Sequence, residues 1–118
     1  MKDPVTIISD IDGTLVAHTG DITNLHLKPL QLLPGIKDKL QEWDRRKCKL
    51  ILITGRREST RKATEKQLSE VGIVFDQLIM GVSNASRVLI NDRKPDSDQD
   101  TCFAINVDRN VGLEGVEI

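Results

Sequence analysis

The chain has no tyrosine, and Trp43, Phe75 and Phe103 are its only aromatic residues, 3% of the 118. Stacking platforms of the kind that hold single-stranded nucleic acid are therefore nearly absent. The core has to be built from aliphatic side chains. Cysteine is equally scarce. Cys48 and Cys102 each open a strand-like apolar run, and they read as reduced structural residues rather than as a disulfide or a metal site. No charge sign dominates: 18 acidic against 17 basic residues leave a net charge of -1, so no whole-molecule field draws the chain to nucleic acid or to an anionic membrane. Apolar runs such as Leu50 to Ile53 and Cys102 to Ile105 are far shorter than the roughly 20 residues that cross a bilayer, so no membrane association is expected. The first residues reach Asp10 before a signal-like apolar stretch develops, and the expected location is cytoplasmic.

What is present is an ordinary globular mixture, 38% hydrophobic and 30% charged, which predicts one domain over residues 1–118. Short β-type runs alternate with helix-type segments, the rhythm of an α/β fold. Val5 to Ile8 is almost entirely β-branched, as in a strand buried on both faces of a parallel sheet. Residues 16–33 are irregular and predict a short flap. Pro34-Gly35 then opens a helix with Ile36, Leu40 and Trp43 on one face, ending near Lys47. Cys48 to Ile53 is the second strand, broken by Thr54-Gly55-Arg56. A second helix is predicted from Glu58 to Val71, with Thr64, Leu68 and Val71 aligned and Gly72 placed as a C-cap. Val74 to Met80, Arg87 to Asn91 and Thr101 to Val107 complete five predicted strands. Together these predict a three-layer, doubly wound, mostly parallel sheet, whose ligands gather outside the strand C-termini.

The chemistry-bearing residues fall at those ends. Asp10 and Asp12 follow the first strand. An ionised Asp10 is fit to attack phosphorus, while Asp12 is fit to protonate a leaving oxygen and then activate water. Gly13 lets the backbone turn closely around a phosphate, with Thr14 beside it, although Asp-Gly is also a common turn dipeptide. Thr54 and Gly55 at the end of the second strand offer a hydroxyl and a close backbone approach. Arg56 supplies a guanidinium fork suited to phosphate recognition. Asp92, after the fourth predicted strand, brings a further acid. Convergence of Asp10 and Asp92 calls for a cation, and an all-oxygen ligand set suits Mg2+. Asp96 is the candidate further support for that metal. For the fixed cation that a phosphoryl transition state wants, Arg87 is the first choice and Lys66 the second.

The set Asp10-x-Asp12-Gly13-Thr14, Thr54-Gly55-Arg56 and Asn91-Asp92-x-x-x-Asp96 resembles the haloacid dehalogenase superfamily of phosphohydrolases, in order and spacing from residue 5 to about 96. The resemblance implies a Rossmann-like core and an aspartyl-phosphate on Asp10. It implies acid/base catalysis by Asp12, phosphoryl binding by Thr54 and stabilisation by Arg87 or Lys66. It also implies a Mg2+ held by Asp10, the Asp12 carbonyl, Asp92 and Asp96. Here Asn91 stands where the family more usually has Gly or Asp. No insertion is long enough for a cap domain, so the chain is similar to the small capless sugar-acid phosphate phosphatases, and the resemblance implies a site closed by a neighbouring subunit, in a homo-oligomer, or left open to macromolecules. The expected substrate is a small phosphorylated sugar or sugar acid, with a nucleic-acid end disfavoured by charge and aromatic content. The alternatives are a polynucleotide 3′-phosphatase and a non-enzymatic phosphoacceptor domain.

Overall fold

The β-branched run forms β1 (Thr6–Asp10), and the Leu/Ile run after Cys48 forms β2 (Lys49–Ile53). A computed structural model describes residues 2–118. Helix α1 (Ile36–Arg45) lies between these strands, and α2 (Arg61–Glu70) lies between β2 and β3 (Gln77–Ile79). Both strand pairings of the sheet are parallel, in the order β1-β2-β3, with Asp10 level with Ile53 and Ile53 level with Ile79. The three strand C-termini therefore share one edge.

Helix α1 starts after Gly35, whose left-handed φ of 80° and close approach to the Glu114 backbone both require the missing side chain. It buries Ile36 and Trp43. The predicted second helix begins with a 3-10 turn (Glu58–Thr60) before α2 proper, which buries Thr64, Gln67 and Leu68. Ile11, Leu15, Val16, Ile36, Leu52 and Leu68 have no exposed surface and form the aliphatic centre expected from the shortage of aromatics. Each contributes about 1.5–3 kcal/mol by leaving water.

Only three of the five predicted strands form. Arg87 to Asn91 and Thr101 to Val107 have no ladder partner. Val88, Leu89, Ile90, Phe103 and Ile105 face solvent, Val88 at 85% and Ile90 at 90% exposure, while Val107 packs partly against the core. β-propensity describes a residue's fit to a pleated surface, and here no neighbouring strand supplies one. The third strand shrinks to Gln77–Ile79 because Val74 lies outside the ladder. The described sheet is accordingly a small parallel α/β sheet. Double winding requires strand order to reverse on the far side of β1, and no described strand lies there.

The C-terminal residues, for which the sequence predicts no role, close the fold. Leu113 is buried and its N–H donates to the Pro34 carbonyl at 3.0 Å. At the other end, Asp3 clamps Arg46, the residue after α1, through two bonds of 2.8 and 2.9 Å. The Arg46 guanidinium holds the Asp3 carboxyl below its ordinary 3.8. The native state thus binds this proton less readily than the unfolded chain, and the pair's stabilisation is present above about pH 4 and lost as pH falls through the native value. Asp3→Asn is expected to lower the urea midpoint slightly at pH 6, by an amount that shrinks as pH is taken below 4, which denaturation curves of both proteins across that range will check.

Candidate active site

β1 delivers Asp10 at its last position, and the chain then folds back sharply. The N–H groups of Thr14, Leu15 and Val16 all donate to the Ile11 carbonyl, and Gly13 donates to the Val16 carbonyl at 2.7 Å. Gly13 sits at φ 88°, and a Cβ there would press on the Arg109 side chain at 3.1 Å. This turn holds Asp10 and Asp12 at the same strand end while giving them different surroundings. The Asp10 side chain is one-third exposed, whereas that of Asp12 is only 10% exposed.

Each carboxylate has its own arginine. Arg87 Nη1 lies 3.2 Å from Asp10 Oδ1, and both side chains remain accessible. Thr14 Oγ1 reaches Asp10 Oδ2 at 3.4 Å. Arg56 is buried and grips Asp12 in a two-bond fork, Nε to Oδ2 and Nη2 to Oδ1, each 2.8 Å. Its Nη1 donates to Thr64 Oγ1 at 3.1 Å and to Gln67 Oε1 at 2.6 Å. Gln67 in turn donates from Nε2 to the carbonyls of Leu25 and Lys28, at 2.8 and 2.5 Å. A continuous chain of bonds therefore runs from the flap through α2 to Asp12.

Sequence reasoning placed Arg56 against substrate, but the structure turns it into the protein, toward Asp12. The signal lay in α2, where Thr64 and Gln67 occupy the inward stripe. A buried glutamine there calls for a polar partner. Thr54 is 2% exposed, and its hydroxyl accepts the Arg56 N–H at 3.1 Å. Beside it, the Asn84 side chain fills the space that a Cβ at Gly55 would need. Asn84 and Asn110 had no distinguishing sequence signal. Asn110 bridges both backbone groups of His18 at 2.7 and 3.1 Å, and its N–H donates to the Gly13 carbonyl at 2.8 Å.

The flap is stapled at its base by Ala17 N–H to the Gln31 carbonyl at 2.9 Å and by an antiparallel bridge between Val16 and Leu32. Between flap and motif lies a cleft of about 70 Å3, lined by Asp12, Thr19, Lys28 and Arg56 among others. That space admits a handful of waters, so a substrate bound there lies mostly outside it.

Of the two candidate phosphoryl cations, Arg87 is brought to Asp10. Lys66 points into solvent on α2 with Glu70 as its ion partner at 3.9 Å. Asp92 and Asp96 are not brought to Asp10. Asp92 pairs with Lys94 at 3.2 Å on an exposed stretch, and Asp96 takes a left-handed φ of 62° in the turn beyond. Among the described residues no three acidic, histidine or cysteine side chains converge where a metal ion could be held. The single chain does not assemble the Mg2+ ligands expected from its sequence.

Two solved chains are similar to this one. One comes from a structure of a Pnkp1/Rnl/Hen1 complex, with 29% identity, 72% of this chain covered and a TM-score of 0.59. The other comes from a structure of the Pnkp1/Rnl/Hen1 RNA repair complex, with 27% identity, 71% covered and a TM-score of 0.55. This chain spans only 30% and 28% of theirs. No family model and no curated protein matches.

Proposed function

We propose that the chain hydrolyses phosphate monoesters through Asp10. The observation that carries this reading is the contrast at the end of β1: an accessible carboxylate beside an accessible arginine, and a buried carboxylate fixed by a second one. Two neighbouring acids in different environments are fit for two roles.

Asp10 attacks phosphorus and the ester oxygen leaves, taking a proton from Asp12. A water then attacks the aspartyl-phosphate, returns a proton to Asp12 and releases inorganic phosphate. Arg87, at 3.2 Å from the attacking carboxylate, follows its negative charge onto the phosphoryl oxygens. The Arg56 fork uses one lone pair on each Asp12 oxygen and leaves the others for the proton. Thr54 and the Gly13 turn flank the phosphoryl position. A Mg2+ requirement remains part of the proposal, read by chelation, although no step above depends on it.

Likeness to chains of RNA repair complexes favours the phosphorylated end of a polynucleotide as substrate. Near-neutral charge and few aromatics favour a small sugar or sugar-acid phosphate instead. Release of inorganic phosphate from 3′-phosphorylated oligonucleotides, nucleotides, sugar phosphates and sugar-acid phosphates, with Mg2+ and with excess chelator, separates them. Turnover of oligonucleotides above all others is expected. Turnover confined to sugar phosphates overturns the substrate class. Failure of the whole panel, with a long-lived acyl-phosphate from a small donor, moves the phosphoacceptor reading ahead.

A further inference from the structure

Two cations besides Arg87 and Arg56 are held against the turn that carries Asp10 and Asp12. The first, Arg109, comes from the far end of the chain, at the tip of a turn closed by Val111 N–H on the Asp108 carbonyl at 3.3 Å. Asn110 fixes that turn in place. Its N–H donates to the Gly13 carbonyl at 2.8 Å, and its side chain takes both backbone groups of His18 at 2.7 and 3.1 Å. The Arg109 stem consequently lies on Gly13, with Cγ 3.1 Å and Nε 3.7 Å from where a Cβ would stand. Arg109 is exposed, and among the described residues no carboxylate pairs with it. The acids nearest in the motif, Asp10 and Asp12, are paired with Arg87 and Arg56 instead.

The second, Lys28, comes from the flap and lines the cleft together with Asp12, Thr19 and Arg56. Its carbonyl is one of the two that Gln67 Nε2 holds, so its backbone is tied to α2. Its side chain is exposed, and among the described residues it too has no ion partner. The opening residues of the flap stand between the two cations. Ala17 and Thr19 line the cleft with Lys28, whereas His18 Cβ lies 3.6 Å from the Cβ position of Gly13, beside Arg109. In both cases the fixing bonds end at the backbone and leave the charged head free. A net charge of -1 conceals this placement.

We infer that Lys28 and Arg109 bind the phosphodiesters that adjoin the terminal phosphate, so that a polynucleotide end is selected by its backbone. The inference rests on the phosphatase reading above and names the residues that choose its substrate. In that reading Asp12 protonates the leaving oxygen, and the cleft it shares with Lys28 therefore lies on the leaving-group side. That cleft has a volume of about 70 Å3, so the remainder of the substrate meets its rim. No aromatic residue lines it, which removes base stacking as a source of affinity there. A free ammonium and a free guanidinium take anions, and anionic contacts read the backbone without reading the base. Two cations on separate elements match a ligand with several anions in a row. A sugar-acid carboxylate supplies one.

The KM for 3′-phosphorylated trinucleotides is expected to lie well below that for 3′-mononucleotides, with little difference among the bases. Lys28→Gln and Arg109→Gln keep much of each stem and remove its charge. Each is expected to raise the trinucleotide KM about two- to fivefold at unchanged kcat, and to leave mononucleotide kinetics as they were. Arg109→Lys retains the charge and should stay near wild type, as should Lys49→Gln at the opposite end of β2. An unchanged trinucleotide KM in both glutamine variants overturns the inference. So does an equal rise for mononucleotides, which marks a loosened motif, or a loss confined to phosphorylated sugar acids, which assigns the cations to a carboxylate. Binding keeps the two readings apart. In chains that also carry Asp10→Asn, fluorescence anisotropy of a labelled 3′-phosphorylated oligonucleotide is expected to show a log–log salt slope that shrinks by about 0.7 for each cation removed. An inert wild type with that binding intact counts against the phosphatase reading alone. A salt slope indifferent to both substitutions overturns the assignment of Lys28 and Arg109 whatever the turnover.

Discussion

Asp10→Asn is expected to lower phosphate release by ~10^3-fold or more while leaving the fold intact. The asymmetry follows from the geometry. The amide keeps the shape of the carboxylate but cannot attack phosphorus, so the covalent route is closed rather than slowed. Structurally little is lost. Asp10 and Arg87 are both about one-third exposed, and an accessible ion pair of this kind contributes at most about 1 kcal/mol. Thermal unfolding of the variant should therefore track the wild type, within the few degrees that such a contribution produces. Companion substitutions sharpen the result: Arg87→Ala is expected to lower turnover, and Lys66→Ala, whose side chain sits in solvent beside Glu70, is expected to leave it unchanged. A variant at Asp10 that retains full turnover removes the nucleophile from the proposal. Equal losses at Arg87 and Lys66 contradict the placement of the phosphoryl cation.

The parts of the molecule that were legible in the sequence are those whose cause is local. Val5 to Ile8 and Cys48 to Ile53 read as strands because continuous β-branched or aliphatic runs suit a pleated surface, and both strands form, but burial on both faces does not follow: Ile7, Leu50 and Leu52 are buried while Thr6 and Ile8 stay exposed. The turn after β1 was legible because Gly13 permits a backbone that other residues resist. Arg87 to Asn91 carries the same local signal and forms no strand, because pairing depends on what the rest of the fold brings alongside. The same limit applied to Arg56. Its position after Thr54-Gly55 marked it as important, but only the crossing of α2 decides that it faces Asp12 instead of solvent. Likewise, nothing local announced that Arg109 and Asn110 would pack against the Gly13 turn from the far end of the chain.

Arg56→Met is expected to be the most destabilising single substitution at this site. Removing the guanidinium leaves the Asp12 carboxylate, 10% exposed, without the cation that offsets its desolvation. Breaking one half of such a buried pair costs about 3–5 kcal/mol. That is a large share of the roughly 5–15 kcal/mol that holds a domain together. Thr64 and Gln67 lose their partner in the same step, and Gln67 is the side chain that fastens the Leu25 and Lys28 carbonyls to α2. Loosening should therefore spread to the flap and appear as faster amide exchange across residues 25–28. Arg56→Lys restores the charge but not the planar fork, so it is expected to recover part of the stability. A double-mutant cycle isolates the pair. Once Arg56 is methionine, converting Asp12 to asparagine should be nearly neutral or even stabilising in denaturant melts, because the uncompensated charge is gone. If the two substitutions instead add independently, Arg56 does not act through Asp12, and its position against α2 has to be explained by packing alone.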